Sequence, residues 1–440
     1  MVSSLYSGAS GLTTLGSAMQ VIGNNIANVN TVGFKASRAE FGDLLSQRLA
    51  GSARGSQVGR GVKLEGVTGL FSQGSFQNTS QVTDLAISGE GFFIVSDGTS
   101  DYYTRAGAFS VNAEGTLVNT ADLAVQGFLY DSNGVNTGVI GDISLSNLLT
   151  PPVQTDEVTI ALNLDADSTL PNPPAGFDVT DPAATSNFNT SITVYDSLGA
   201  PHTLSVYFEK SDDPSIPDYS ADLSWKWHAV VDGGEISGGT EGTPTEIFSG
   251  TMTFNSDGSL RTVTQSAGTV DFAGGATAGQ QINFDFGSPT GTALPFTGTG
   301  LDGTTQFAGP QVVNYQSQDG YPQGQLQAVD IDSDGIVTGV FSNGRTRAIA
   351  QVALANFQNE QGLMRAGGNL FRESRNSGVP TIGEANAGSL GSINASTLEL
   401  SNVDLSNEFI SMITTQRGFQ ANSRMIVVGD EMLESMVNLT

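Results

Sequence analysis

The feature that most constrains this chain is an uncharged helical repeat near its N-terminus. Apolar residues recur there at alternating spacings of three and four, which keeps them on one side of an α-helix. The positions are Leu12, Leu15, Met19, Ile22, Ile26 and Val29, and Leu5 extends the row backwards by one heptad. No charged residue precedes Lys35. A helix with so few charges is poorly suited to standing alone in water, so the pattern predicts a helix that packs against a partner.

A second helical repeat occupies the other end of the chain. Seven of its ten positions are apolar. The positions are Leu405, Phe409, Met412, Gln416, Phe419, Ser423, Ile426, Asp430, Leu433 and Val437. Either repeat alone could be an amphipathic helix lying on its own domain, but their presence at both ends favours pairing, with each other or with copies in neighbouring subunits. We therefore interpret residues 1–34 and 400–440 as terminal coiled-coil helices of one inner layer.

Composition limits what can stabilise the rest of the chain. The 440 residues include 55 glycines and no cysteine, so disulfides and thiolate metal sites are excluded. The start lacks a basic segment followed by a continuous apolar one, and no apolar run reaches membrane-spanning length. We expect a soluble protein that, if it is exported, leaves the cell without a cleaved signal peptide and does not enter a membrane.

Charge is concentrated in the middle of the chain. Between Ala106 and Gly344 there are 3 basic and 28 acidic residues, within a total net charge of −27. Nucleic-acid binding needs a basic footprint and is therefore excluded as a function. We interpret the acidic surplus as a surface that faces solvent.

The sequence between the terminal repeats predicts a mainly β fold. Strand-like runs at 85–95, 102–111 and 123–130 are separated by turn pairs such as Asp97-Gly98 and Asn133-Gly134. Strand patterns on either side of a proline-rich boundary indicate nested domains. The prediction places a first β domain at 80–153 and 310–360, an inserted outer β domain at 154–309, and linker segments at 35–79 and 361–399, the first containing a short helix near Phe41 to Leu49.

One segment resembles a calcium-binding loop. Asp330, Asp332 and Asp334, followed by Gly335, match the opening of an EF-hand loop. Its twelfth position is Phe341, where a bidentate glutamate is required. A hairpin turn is therefore the favoured interpretation.

No other segment indicates a catalytic, cofactor or metal site. His202 and His228 are far apart in sequence and have no cysteine to complete a zinc site. Trp225 and Trp227 alternate as residues of one strand do, and core or edge packing explains them before a sugar-binding platform does. A glycosidase-like carboxylate pair is disfavoured, because acids at this density usually form a solvated face. The expectation is a protein that is not an enzyme and has no cofactor.

The chain ends carry motifs that resemble a known family. Gly-Asn-Asn-Ile-Ala-Asn at 23–28 and Thr-Val-Gly-Phe-Lys at 31–35 are similar to the N-terminal signature of the flagellar rod, hook and hook-associated axial proteins. Ser-Asn-Val-Asp-Leu at 401–405 and Gln-Arg-Gly-Phe-Gln-Ala-Asn at 416–422 are similar to the C-terminal signature. Segments 194–199, 254–258 and 351–357 most resemble the hook branch.

The resemblance implies a structural subunit of the bacterial flagellar hook. Such subunits polymerise into a flexible tube that transmits torque from the basal body to the filament, outside the cell and without a cleaved signal peptide. The implied partners are further copies of the chain, the distal rod protein, the hook-cap scaffold protein, the hook–filament junction protein and the flagellar type III export apparatus. A distal rod-like axial protein and a secreted acidic β-rich adhesin or carbohydrate-binding protein are the alternatives.

Self-assembly is the only site function that these expectations contain. The expected residues are Leu12, Leu15, Met19, Ile22, Asn24, Asn25, Ile26, Asn28, Val29, Phe34, Leu405, Phe409, Met412, Gln416, Phe419, Ile426 and Leu433. Among them, the three asparagines either bridge helices or line a wet channel, with ordinary positions on a polar helix face as the alternative.

Overall fold

The computed structural model describes most of the chain and divides it into two compact units. The described residues are 2–44, 47–48, 57–132, 134–146, 148–171, 176–220, 222–291 and 298–437. The first unit, here the terminal unit, comprises Met1–Leu148, Leu326–Val340 and Thr346–Thr440. The second, here the central unit, comprises Leu149–Gln325 and Phe341–Arg345. The predicted turn residue Asn133 lies outside the described residues.

The terminal unit contains both long helices and most of the short strands. Its elements are α1 (Val2–Ala27), β1 (Ser37–Asp43), β2 (Gln47–Arg48), β3 (Gln57–Val58), β4 (Val62–Gly69), β5 (Phe76–Asn78), β6 (Leu85–Ser88), β7 (Phe92–Ser96), β8 (Asp101–Thr104), β9 (Ser110–Val111), β10 (Leu117–Val118), β11 (Ala124–Tyr130), β12 (Asn136–Asp142), β22 (Gly324–Ile331), β23 (Ile336–Phe341), β24 (Thr346–Asn356), β25 (Met364–Gly367), β26 (Leu370–Arg372), β27 (Thr381–Glu384), β28 (Ser392–Ala395), β29 (Thr397–Glu399) and α2 (Leu405–Val437).

The body of this unit is an antiparallel sheet built around three strands. β7, β11 and β24 pair with one another, and the order runs β22-β23-β24-β11-β7-β8-β26-β25. Residues 349–355 of β24 are buried, because this strand pairs on both edges, with β23 and with β11 and β7. One side of the sheet buries a core that includes Phe93, Val125, Val352 and Leu354. The other side buries a smaller aromatic cluster around Phe92.

The segment after α1 forms a hairpin, which corrects one prediction. A short helix was predicted near Phe41 to Leu49, but Ser37–Asp43 is a strand that pairs antiparallel with Val62–Gly69. Leu45 and Leu49 of that prediction lie outside the described residues. The apolar spacing was misleading, because Phe41 is 47% exposed and does not form part of an inward helical face. The strand depends on a partner about twenty residues further along, which local periodicity does not reveal.

The central unit consists of two sheets around one core. Its strands are β13 (Leu149–Thr150), β14 (Glu157–Asn163), β15 (Phe188–Tyr195), β16 (Pro201–Lys210), β17 (Ser224–Asp232), β18 (Pro244–Phe254), β19 (Leu260–Gln265), β20 (Asn283–Asp285) and β21 (Val312–Gln318). Five of them form an antiparallel sheet in the order β15-β16-β17-β18-β19, and three form a sheet in the order β20-β14-β21.

Alternation along β17 fills the core of the central unit. Trp225 and Trp227 point inwards and are fully buried, and Trp227 packs against Phe284 and Phe286. The indole Nε1 of Trp227 donates a hydrogen bond to the carbonyl of Thr264 at 3.2 Å. Both tryptophans are therefore core residues, and neither offers a surface for stacking on a sugar.

The architecture confirms the predicted fold class: a mainly β chain whose N- and C-terminal helices contact each other. The acidic segment after β22 is a hairpin turn, because the carboxylate of Asp332 accepts backbone hydrogen bonds from Asp334 and Ile336, and Gly335 adopts a positive φ of 75°. Neither described helix combines the length and apolarity of a membrane span.

Candidate assembly surface

The two terminal helices pack against each other in opposite directions. A Cβ added at Gly429 would lie 2.6 Å from Leu5, and one added at Gly418 would lie 3.3 Å from Leu15. Further along, the side-chain amide of Asn25 donates to Glu408 at 2.8 Å. The α1 numbers rise while the α2 numbers fall, so α1 and α2 form an antiparallel pair.

Glycines allow the two helices to approach closely. On α1, a Cβ at Gly8 would lie 3.1 Å from Ile426, and one at Gly11 would lie 2.8 Å from the side chain of Asn422. On α2, Gly418 and Gly429 receive leucines of α1 in the same way. Each glycine faces a larger side chain of the other helix, so the contact is set by small residues as much as by the predicted apolar ones.

The buried side of α1 is offset from the predicted apolar row. The buried α1 residues with described side chains are Gly8, Gly11, Thr14, Ala18, Ile22 and Asn25. Of the predicted row, only Ile22 is buried, and the other members are half-buried at its edge: Leu12, Leu15, Met19, Ile26 and Val29. The periodicity located the correct side of the helix approximately, but it could not register glycine, alanine and threonine as contact residues. A search for small residues at heptad spacing would have found them.

α1 also packs on the β1–β4 hairpin. The hydroxyl of Ser10 accepts a hydrogen bond from the backbone N–H of Val62 at 3.3 Å. The hydroxyl of Thr14 lies 3.5 Å from the backbone carbonyl of Val62. The helix is therefore held between α2 on one side and the hairpin on another.

Asn25 joins these three elements at a buried position. Its side chain is 1% exposed. The amide nitrogen donates to the carbonyl of Ser37 at 2.7 Å and to Glu408, and the amide oxygen accepts from the backbone N–H of Ser37 at 2.9 Å. Because its donor and acceptor capacity is used inside the chain, Asn25 is a bridge between α1, β1 and α2.

The other two predicted asparagines have local roles within one chain. The side chain of Asn28 donates to the carbonyl of Asn24 at 2.9 Å and accepts from the hydroxyl of Thr31. Asn24 itself is exposed. Phe34, the last predicted residue of the N-terminal row, is buried, and the guanidinium of Arg365 lies 5.6 Å from its ring centre.

The contact side of α2 is a narrow stripe. It includes Glu408, Gly418, Asn422, Ile426 and Gly429, all of which are at least half-buried. The helix begins with a side-chain cap, since the carboxylate of Asp404 accepts from the backbone N–H groups of residues 406 and 407. Of the predicted α2 row, Met412, Ile426 and Leu433 are half-buried, while Gln416 is exposed.

Large apolar side chains of α2 remain exposed on both sides of this stripe. At 3.6 residues per turn they form two flanks. The first flank is defined by Leu405, Phe409, Phe419 and Val427, and the second by Ile410, Met425, Val428 and Met432. Phe409 is 50% exposed and Ile410 is 60% exposed. Exposed apolar side chains on two sides of one helix indicate a protein interaction site.

The side of α2 opposite α1 is mainly polar. It carries Arg417, Gln420, Arg424 and Glu431, all exposed, together with Ile413. The helix therefore has four sides: one covered by α1, two apolar flanks, and one polar side between the flanks.

The histidines of the central unit have structural surroundings. His202 stacks on Phe272 and lies between the carboxylates of Asp196 and Glu235. His228 stacks on Phe177 and faces the carboxylates of residues 209 and 246. Within the part of the chain that the structure describes, no three or more His, Asp or Glu side chains are grouped so as to hold a metal ion.

Family models match four segments of this chain, including most of each end. The N-terminal segment 5–35 matches the flagella basal body rod protein model, and 394–439 matches the C-terminal model of the flagellar basal body rod FlgEFG proteins. Between them, 86–170 matches the flagellar hook protein FlgE/F/G D1 domain and 163–321 the flagellar basal body protein FlaE D2 domain. Both helices of the candidate surface thus lie within matched segments.

Full-length relatives decide the family. The flagellar hook protein FlgE of Treponema pallidum is 36% identical over 480 residues, and that of Borreliella burgdorferi is 36% identical over 461, with 100% of each chain covered in both cases. The protein of the same name from Salmonella typhimurium is 34% identical over 436 residues, covering 98% of each chain. The chain belongs to the flagellar hook protein FlgE family.

As a member of the FlgE family, the chain is a structural subunit of the flagellar hook, in the extracellular flagellum, and not an enzyme. The family implies assembly into a homopolymer. The resemblance and the function predicted from the terminal motifs are confirmed.

Proposed function

We propose that α1 and α2 form the inner wall of a tube of identical subunits and that the β units lie outside it. The observation that carries this proposal is the arrangement of α2, with apolar flanks on both sides of the stripe that α1 covers. A helix with two apolar flanks can contact one neighbouring subunit on each side, as a closed ring of subunits requires. Burying one large apolar side chain contributes about 1.5 to 3 kcal/mol, so eight of them supply a substantial association energy.

The polar side of α2 then faces the channel of the tube. Arg417, Gln420, Arg424 and Glu431 remain hydrated there, which avoids the cost of burying charge in the wall. The acidic central unit lies outside, where solvent and salt screen the repulsion between copies. The tube bends as a universal joint because the outer units slide over one another while the wall holds.

Part of the set of self-assembly residues predicted from the sequence fits this scheme, in two groups, whereas Ile22, Asn25 and Phe34 are buried within the single chain. Leu405, Phe409 and Phe419 belong to the first flank of α2 and contact the neighbouring copy, together with Gln416 on the same side of the helix. The half-buried α1 residues at the edge of the helix pair are completed by a neighbour in the wall. The division into helices at 1–34 and 400–440, linkers at 35–79 and 361–399, and β domains at 80–153 with 310–360 and at 154–309 belongs to the same proposal.

The partners of the finished tube are proposed on the same basis. Both ends of the chain match models of rod proteins as well as hook proteins, which supports stacking of a common helical layer on the distal rod protein. The hook-cap scaffold protein, the hook–filament junction protein and the flagellar type III export apparatus complete the set, with export that needs no cleaved signal peptide.

Two aspartate substitutions on adjacent residues of α2 test the wall. Phe419→Asp places a charge on the first apolar flank, and we expect it to abolish polymer formation while the β units stay folded. Gln420→Asp places the same charge on the polar side and serves as the matched control, and we expect it to polymerise. Sedimentation and electron microscopy measure the polymer, and tryptophan fluorescence measures the fold. Polymers of normal yield from Phe419→Asp would refute the proposed wall.

A further inference from the structure

A buried cluster of charges lies where both terminal helices join the β part of the terminal unit. Lys35 follows α1 by eight residues, and Glu399 ends β29, six residues before α2. Arg105 comes from the segment after β8. Their side chains are 1%, 0% and 3% exposed. Three ionised groups so far from water are costly to bury and need one another as partners.

Glu399 is the centre of this cluster, which we call the root cluster. One carboxylate oxygen accepts from the ammonium of Lys35 at 2.7 Å and from the backbone N–H of Gly74 at 2.8 Å. The other lies 3.6 Å from the guanidinium of Arg105. That guanidinium donates to the carbonyl of Gly89 at 2.9 Å and lies over the ring of Phe92. Glu399 is thus tied to the start of the chain and to the sheet at the same time.

Burial makes the cluster sensitive to the loss of one member. Desolvation lowers the pKa of Lys35, and the negative charge of Glu399 opposes that shift. Desolvation also lowers the pKa of Arg105, again against the attraction of Glu399. Glu399 is the carboxylate that attracts both cations most strongly, ahead of Glu360, so its removal would leave both without their main counter-charge.

Hydrogen bonds to backbone groups also connect the segments around the root cluster. The backbone N–H of Gly33 donates to the carbonyl of Glu399 at 2.8 Å, and the guanidinium of Arg365 donates to the carbonyl of Lys35 at 2.8 Å. The side chain of Asn402 accepts from the N–H of Ala36 and donates to the carbonyl of Leu70. The chain entering from α1 and the chain leaving to α2 are therefore held side by side.

We propose that Lys35, Glu399 and Arg105 form a lock that fixes the orientation of the helix pair relative to the sheet of the terminal unit. Buried ion pairs contribute little net stability compared with apolar side chains, but their geometry is demanding, so the lock acts on orientation more than on folding. This part of the inference rests on the proposed function: in the tube, the lock transmits torque from the helices of the wall to the sheet of the terminal unit.

Amide hydrogen exchange on the full-length monomer tests the lock without requiring polymer. Glu399→Gln keeps the size of the side chain and removes its charge. We expect exchange to rise at least tenfold in peptides that contain residues 33–37, 70–76 and 397–402, and less than twofold in β7, β11 and β24. Glu65→Gln is the control, because Glu65 forms an exposed ion pair with Lys63 and should change nothing.

Two results would overturn the lock. An equal rise in the root peptides and in β7, β11 and β24 would mean that Glu399 serves general stability. A rise below twofold everywhere would mean that the charges fix nothing. If Glu399→Gln yields no folded chain, Arg105→Gln replaces it, because the Lys35–Glu399 pair remains, and we expect a rise of at least threefold confined to the root peptides.

Cryo-electron microscopy of polymers adds the orientation itself. With Glu399→Gln we expect the helical lattice of the wall to be unchanged. We expect the angular spread of the sheet of the terminal unit, measured relative to the wall, to at least double. Loss of the lattice would contradict the lock, since the flanks of α2 are untouched. Failure of the wild-type chain to polymerise would refute the proposed wall, and the exchange experiment would still decide the lock.

Discussion

The helix pair and the central unit differ in how completely they bury their large apolar side chains. The central unit encloses its large residues completely: Trp225, Trp227 and Phe208 have no exposed surface. In α2, by contrast, Gly429 is the only buried residue among those whose side chains are described, and Phe409 and Ile410 are half or more exposed. The core of the first region is complete within one chain, whereas the second region leaves large apolar side chains exposed, which we propose that further copies cover.

This difference separates two kinds of sequence constraint. A closed core needs apolar residues that fill one volume, as the tryptophans of β17 do. A wall helix needs surfaces on several sides, so small, apolar and polar residues occupy separate stripes of one helix. Four predictions test the contrast, in order of decreasing expected effect.

Truncation of a tryptophan should be the most damaging change. Trp227→Ala removes a fully buried ring that contacts Phe284 and Phe286, and we expect a loss of about 3 to 5 kcal/mol of unfolding free energy. Denaturant unfolding of the monomer, followed by Trp225 fluorescence, measures it. Phe419→Ala is the control from the helix pair, with an expected loss within about 0.5 kcal/mol. Equal losses would erase the contrast.

Filling the helix contact should have a moderate effect confined to the helices. Gly11→Leu places a side chain where even a Cβ lies 2.8 Å from Asn422, and overpacking of this kind costs about 1 to 3 kcal/mol. We expect faster hydrogen exchange in α1 and α2, and an unchanged exchange rate in the central unit. Gly16→Leu is the matched control, because a Cβ there meets no atom within 4 Å. Similar exchange in both variants would argue against the close helix contact.

Replacing glycines whose added Cβ would meet no other atom should have a smaller effect of opposite sign. A Cβ at Gly16 or Gly23 meets open space, so Ala is accommodated and favours the helix by about 1 kcal/mol at each position. We expect the monomer of Gly16→Ala to be more helical by circular dichroism at 222 nm. A decrease in helicity would show that α1 is not a helix with a free side in the single chain.

The smallest expected effect concerns pH. Burial raises the pKa of Glu360 above its ordinary 4.5, against the attraction of Arg105. The folded chain therefore holds this proton more tightly, and the stability so gained is present below about pH 4.5 and lost as pH rises through the folded pKa. Glu360→Gln should flatten that part of the stability curve. Thermal midpoints measured from pH 3 to 8 test this, and an unchanged slope would contradict it.

Local pattern was enough for some elements and not for others. The heptads predicted both terminal helices. Alternation predicted that Trp225 and Trp227 pack in a core or at an edge, and the structure places both in a core. The helix predicted near Phe41 to Leu49 was wrong at its start, because Phe41 belongs to the strand Ser37–Asp43, whose partner is distant in sequence. The predicted row on α1 missed Gly8 and Gly11, since apolar periodicity gives no weight to glycine.

Within the assembly surface, periodicity predicted the helices, and tertiary packing determined which side of each helix is covered. The sequence alone could not tell that Asn25 bridges three elements while Asn24 is exposed, although the two are neighbours. Nor could it single out Glu399 among 44 acidic residues as the buried partner of Lys35. Residues 364 positions apart meet only through the fold.

By itself the sequence determined the family, the mainly β class and the presence of a helix at each end, because these depend on motifs and periodicities that are local in the chain. The tertiary structure decided which side of each helix is covered, which apolar residues are left for other copies, and where the buried charges meet. Those outcomes depend on contacts between distant segments, and their free energy is set by burial and geometry that no local pattern contains.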